Sequence, residues 1–388
     1  MRQARTHNAD SREETQKPIR VLAVTSFRPE EITASLENMT VPTEVITVTP
    51  TAGRVGHVRE LYEQFQQMLS GHNPNVILLD CYETMGLVVS LLASRHEIPV
   101  VARLVGDTWR GYEQPALSEI ETVSDLKRYF LHRASLHLDR YIFNRAAGFV
   151  TVSHELKTVA ASRTGCPPER IGVVPVPMTV DTLTQGSATA GRTSHDIDEE
   201  RIILTVTNLR FPEKFEGVKL ALSELQPLLA ADDNLGYVVA GSGRFLDPLE
   251  TVVNETVADR RVRQQVSTLG HVENVADLYA LADVFVYVSY RDGYPNAVLE
   301  AQTAALPVVA NEAHGMCDQI VDDETGYLVD PGKQGQLRSR VASLLESPPE
   351  RRRIGEQARA RVLRENTPET IGAQLERVLG RIVDMEYR

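Results

Sequence analysis

The chain has 388 residues, 42% of them apolar, and a formal net charge of −12. That length fits two domains, each with a sizeable core, and the acidic balance argues against a general nucleic-acid binder, which needs a basic face. No run of apolar residues reaches the length that spans a bilayer.

Residues 1–17, MRQARTHNADSREETQK, are polar and lack the apolar core of a signal peptide, so they read as a disordered tail. Short β-branched runs follow at 19–26 (IRVLAVTS), 43–50, 75–82 (NVILLDCY), 98–106, 148–154 and 171–177, with helix-length sequence between most of them, such as 55–71. Nearly continuous apolar strands alternating with helices indicate a parallel sheet covered on both faces. Residues 182–200 are rich in Ser, Thr, Gly and acid and read as a linker or surface loop. The strand–helix scheme then repeats, with runs at 201–208, 235–243, 266–272, 284–290 and 306–312. A helix over 367–388 closes the chain, with Thr367 as its cap and Pro368 in its first turn. The expected organisation is therefore α/β, with two doubly wound domains over 18–181 and 201–366 facing across a cleft. Cys81, Cys166 and Cys317 are scattered and form no metal-binding spacing, which fits a reduced, cytoplasmic chain.

In doubly wound sheets ligands bind beyond the carboxyl ends of the strands, so the strand-to-helix turns carry the chemistry. In RDGYPNAVLEAQTAALPVVA (291–310) two carboxylates, Asp292 and Glu300, flank a Gly293-Tyr294-Pro295 turn that opens a helix at Asn296 and Ala297. The first amides of that helix form an anion site that suits a diphosphate. Glu300, a turn further in and leaning toward the N-terminus, reaches a ribose beside it. The plain alternative is a turn-capping Asp292 and a solvated Glu300. Gly241-Ser242-Gly243 stands between a strand and a helix, where glycine lets backbone approach a phosphate or simply makes a tight turn. Only six positions are lysine against 35 arginines, and two of them, Lys214 and Lys219, fall within 205–222 beside Arg210. A cation at that strand end neutralises a leaving diphosphate, the alternative being a solvated loop lysine. Gly270-His271-Val272 marks a further strand end, and His271 by itself reads as a structural histidine.

Together the segments VTNLRFPEKFEG, YVVAGSGRFLDPLE, LGHVENVADLYALADVFVYVSYRDGYPNAVLEAQTAALPVVANE and IVDDETGYLVDP resemble the C-terminal domain of retaining glycosyltransferases of family 4, the group 1 glycosyl transferases. The likeness is strong over about 200–345 and weaker over 19–180. It implies the GT-B fold, two facing Rossmann-like domains with the C-terminal helix crossing back to the first. The family's Glu-x(7)-Glu pair falls on Asp292, a shorter acid near the donor sugar, and on Glu300 at the ribose. The backbone of Gly293, Tyr294, Pro295, Asn296 and Ala297 would hold the diphosphate, and Gly270, His271 and Val272 the base. The phosphate-binding lysine falls on Lys214. The accompanying arginine position is Leu209, and its role passes to Arg210, one residue on. Asp107 stands where the family often places a histidine near the reacting sugar. A glycine-rich turn after the first strand is replaced by VTSFRPEE, and an Asn-Gly before the linker by PVPMTVD.

The resemblance implies transfer from a nucleoside-diphosphate sugar to a hydroxyl of a glycan, glycolipid or lipid-linked sugar. The leaving phosphate accepts the proton, and neither cofactor nor metal is needed. The sole Asp-x-Asp, Asp196 to Asp198, lies in the polar 182–200 segment and reads as solvated charge. A nucleotide-sugar epimerase and a non-catalytic partner subunit are the alternatives that share such domains. Residues 126–145 carry Lys127, Arg128, Arg133, Arg140 and Arg145 among aromatic and aliphatic residues. They suit peripheral contact with an anionic inner membrane surface, or a helix packed on its sheet with solvated arginines.

Overall fold

In the computed structural model the described residues are 18–26, 29–48, 55–109, 123–180 and 183–387. The expected tail, 1–17, lies outside them. The first sheet contains β1 (Val21–Thr25), β2 (Thr43–Thr47), β3 (Val76–Asp80), β4 (Val100–Leu104), β5 (Gly148–Thr151) and β6 (Ile171–Val173) in the order β2-β1-β3-β4-β5-β6. The second contains β7 (Arg201–Val206), β8 (Leu235–Ala240), β9 (Val266–Gly270), β10 (Val284–Tyr287), β11 (Val308–Asn311) and β12 (Tyr327–Val329) in the order β12-β11-β10-β7-β8-β9. Every pairing is parallel. This is the two-domain GT-B architecture.

Alternation along each strand feeds two cores. Ile77 and Leu79 of β3 enter one apolar cluster, while Val76 and Leu78 enter another. In β10, Val284 and Val286 face one way and Phe285 and Tyr287 the other. With both faces covered by helices, the strands have no polar side to show, which is why the sequence runs are continuously apolar.

The C-terminal helix Pro368–Glu386 crosses back to the first sheet. Thr367 Oγ1 accepts from the Thr370 amide, capping its start. Ile371, Leu375, Leu379 and Ile382 pack with Val21, Val76 and Val101. A Cβ at Gly172 would lie 2.3 Å from Val378 Cγ1, so the helix seats only because β6 carries glycine there. Thr40 donates from its amide and its hydroxyl to Glu376, at 2.7 Å each.

Of the expected linker, 182–200, the described residues 183–200 are more than a loop. They hold a 3₁₀ turn, Leu183–Gln185, and a helix, Ala188–His195, capped by the Ser187 hydroxyl. A Cβ at Gly186 would sit 2.1 Å from the Ala276 carbonyl, and one at Gly191 2.5 Å from Leu281. The small and hydroxylated residues that suggested a loop serve here as a cap and as close-packing surface against the helix Val275–Leu281.

Candidate active site

Each sheet reverses its strand order once, between β1 and β3 and between β7 and β10. Crevices open beyond the carboxyl ends at such points, and a cleft of about 790 Å³ lies there. Ser26, Asp80, Cys81 and Tyr82 reach it from the first sheet, and Lys214 and Asp292 from the second.

Lys214 sits in the first turn of the helix Pro212–Ala231. That helix lies hard against the exit of β10, since a Cβ at Gly217 would be 1.9 Å from the Val288 carbonyl. The close approach brings Lys214 Nζ within 3.1 Å of Asp292 Oδ1. Nζ also donates to the Tyr287 hydroxyl at 3.2 Å, and that hydroxyl donates to Asp292 Oδ2 at 2.8 Å. Lys214 is only 8% exposed, so it needs these partners. Burial, and then the Asp292 carboxylate, hold the Tyr287 phenol well above its usual pKa, so it keeps its proton.

Glu300 lies on the helix Asn296–Thr303, where the Tyr279 hydroxyl donates to its Oε2 at 2.8 Å. Tyr279 comes from Val275–Leu281, and its phenol is likewise held well above the usual range by burial and by Glu300. The loop between Asp292 and Asn296 is pinned against the first domain. A Cβ at Gly293 would be 2.2 Å from the Val105 carbonyl, and Asn296 Nδ2 donates to Glu31 Oε1 at 2.8 Å. The Tyr294 ring is buried with Val152, Leu156 and Val176, and its hydroxyl accepts from Asn366 Nδ2 at 3.1 Å. Two reciprocal pairs join the domains beside the cleft, His314 to Glu155 at 2.8 Å and His154 to Asp318 at 2.9 Å.

On the first-domain wall Asp107 lines the cleft, and Asp80 is buried at its edge. Arg103 Nη1 and Thr25 Oγ1 each donate to Asp80 Oδ2 at 3.2 Å. Burial outweighs the pull of Arg103 and pushes the Asp80 carboxyl up to about 6.

A family model described as "Glycosyl transferases group 1" matches residues 189–361, and another, "Glycosyltransferase Family 4", matches 12–181. The two take in nearly the whole chain. The chain belongs to the group 1 glycosyltransferases of family 4. The chain is 27% identical over 182 residues to the N-acetyl-alpha-D-glucosaminyl L-malate synthase of Bacillus anthracis, a match covering 47% of the chain and 45% of the relative. It is 35% identical over 159 residues to the GDP-mannose-dependent alpha-mannosyltransferase of Mycolicibacterium smegmatis, covering 40% of the chain and 39% of the relative. The chain thus spans less than half the length of these curated relatives. The structure of Anabaena HepE in complex with UDP-glucose superposes with a TM-score of 0.67 at 16% identity, over 93% of this chain and 99% of that one. At that identity the likeness speaks to fold alone.

In this family member the cleft brings together Lys214, Asp292, Gly293, Tyr294, Pro295, Asn296, Ala297, Glu300 and Asp107. Arg210, Gly241, Gly243, Gly270, His271 and Val272 are not among its lining residues. Leu209 is fully buried in the core, and Arg210 is exposed. The glycines of β8's exit have a local reason. A Cβ at Gly241 would lie 1.6 Å from the Thr207 carbonyl, and one at Gly243 2.2 Å from the Leu209 carbonyl carbon. Both also have positive φ, 146° and 152°.

Tyr279 and Tyr287 were hidden in the sequence because they stand in apolar runs, where an aromatic reads as core. Arg291 lines the cleft too, and the charge beside Asp292 was the signal for it. Within the helix Val123–Arg145, Ile142 and Phe143 are buried on the sheet and Asp139 accepts from the Glu83 amide, while Arg133, Arg140 and Arg145 are exposed. Within the basic stretch the side chains of 126–132 and 134, Lys127 and Arg128 included, lie outside the described residues. Among the described residues no helix is long and apolar enough to cross a membrane.

Proposed function

We propose that this chain transfers a glycosyl group from a nucleoside-diphosphate sugar to an acceptor hydroxyl with retention of anomeric configuration. The observation that carries the reading is the buried Lys214–Tyr287–Asp292 cluster at the β7/β10 reversal, one short loop before a helix start and the Tyr279-held Glu300. Lys214 and the amides opening the helix would take the diphosphate, Glu300 the ribose hydroxyls, and Asp292 the sugar end. Gly270, His271 and Val272 would meet the base. The bond from the anomeric carbon to the diphosphate oxygen breaks, its electron pair leaving with the diphosphate. The acceptor oxygen bonds to that carbon on the same face, and its proton passes to the departing phosphate oxygen. The UDP-glucose bound by HepE and the sugar transfers named for the relatives support the reading. Acceptors of the expected class are a glycan, a glycolipid or a lipid-linked sugar, with Asp107 on their side of the cleft.

A panel of UDP-, GDP- and ADP-sugars, scored for donor hydrolysis and transfer, tests this, with NMR of the product reporting the anomeric outcome. Sugar interconversion without transfer would replace the reading with an epimerase, and donor binding without turnover with a non-catalytic subunit. Because protein cations carry the charge on the leaving group, EDTA is expected to leave turnover unchanged, and strong inhibition would overturn that part.

Peripheral membrane contact through 126–145 is the companion proposal, supported by the exposed Arg133, Arg140 and Arg145. Sedimentation with anionic liposomes is expected to weaken with salt and to be lost in Arg133→Glu/Arg140→Glu. Equal sedimentation of wild type and double variant would refute contact and favour a helix that only packs on its sheet.

A further inference from the structure

We infer that Arg291 is a second cation for the donor's diphosphate, parked on the Glu213 carboxylate until the ligand displaces it. The inference rests on the donor reading above. A sugar nucleotide's diphosphate is multiply charged and gains negative charge as the glycosyl group leaves, whereas Lys214 is already partly neutralised by Asp292. Among the described residues that line the cleft, Lys214 and Arg291 are the only lysine and arginine.

Two consecutive residues at the start of Pro212–Ala231 face two consecutive residues after β10, in two ion pairs of opposite polarity. Lys214 meets Asp292 at 3.1 Å, and Arg291 meets Glu213 at 3.6 Å. The first pair is tight and reinforced by Tyr287. The second is longer than a hydrogen bond, and Glu213 Oε2 is buried with no hydrogen-bond partner. A structural arginine–carboxylate pair is short and forked; this one is neither. The guanidinium is held instead over the Phe211 ring, 5.1 Å from its centroid. That contact holds the group in place without using its N–H donors. Among the described residues those donors make no hydrogen bond, so the planar fork that matches a phosphate is still to be used. Adjacent to Asp292 at the sugar end, Arg291 meets the phosphate nearer the sugar. Glu213 is a positioning residue that keeps the arginine at the cleft and competes with the ligand for it.

Calorimetry with UDP, GDP and ADP first finds the diphosphate that wild type binds, and its monophosphate serves as the comparison. Arg291→Gln is expected to weaken the diphosphate at least about tenfold and to leave the monophosphate nearly unchanged, with Arg291→Lys recovering part of the loss. Glu213→Gln, which keeps the shape but frees the arginine, is expected to tighten the diphosphate several-fold. Unchanged diphosphate binding in Arg291→Gln, or equal losses for both nucleotides, overturns the assignment. Should that variant not fold, unchanged diphosphate affinity in Glu213→Gln overturns it instead. Wild type that binds none of the three nucleotides removes the donor reading and the inference with it, whereas binding that ignores Arg291 removes the inference alone.

Discussion

Lys214→Ala is expected to lower turnover by about 10²–10³-fold, the usual cost of removing one preorganised charge-stabilising group from a buried site. The effect falls on kcat more than on KM because negative charge grows on the diphosphate only as the glycosidic bond breaks. The cluster sharpens the expectation. Lys214 Nζ is fixed by Asp292 at 3.1 Å and by the Tyr287 hydroxyl at 3.2 Å, so it needs little reorganisation when the charge appears. Steady-state kinetics on the preferred donor, with circular dichroism as a control for folding, measure the split. A rise in KM with turnover preserved would take Lys214 off the catalytic list. Tyr287→Phe removes only the positioning hydroxyl and is expected to cost less than Lys214→Ala, again in kcat.

Glu300→Gln is expected to weaken donor binding at least tenfold with the fold intact. Hydrogen bonds to a carboxylate contribute about 1.5–3 kcal/mol each, and the glutamine keeps the shape while losing the charge. The ribose assignment predicts that nucleotides with a 2′-deoxyribose lose less on this substitution, because they have fewer hydroxyls to offer. Calorimetry with a nucleoside diphosphate and its 2′-deoxy counterpart reads both effects, and unchanged affinity in Glu300→Gln would sink the assignment. Tyr279→Phe tests the support beneath it. The Tyr279 hydroxyl donates to Glu300 Oε2 at 2.8 Å, so its loss is expected to weaken the donor less than loss of Glu300 itself.

Local signals carried much of the fold. VILLD at Val76–Asp80 is buried at every residue, the run that a parallel strand covered on both faces requires. Thr367 and Pro368 announce the last helix because capping chemistry is local. The turn carrying Asp292 and the helix carrying Glu300 were legible for the same reason, since a strand, a Gly-Tyr-Pro turn and a helix start are written within a dozen residues. β12, three residues at a sheet edge, was not singled out as a strand, because so short a run lacks a periodic pattern.

What connects distant segments was decided by tertiary packing. The Tyr287 hydroxyl meets Lys214 across 73 residues of chain, and Asn296 meets Glu31 across 265. No local pattern encodes such pairs; they arise because two sheets reverse their strand order at facing crevices. The family resemblance put the cation beside Lys214 on Arg210, whereas in the structure Leu209 is buried in the core, Arg210 is exposed and Arg291 lines the cleft. Sequence alone therefore determined the architecture and the two turns that make the candidate site. The tertiary structure decided which hydroxyls, carboxylates and cations meet there, because a side chain's partner depends on which strand ends the sheet order brings together.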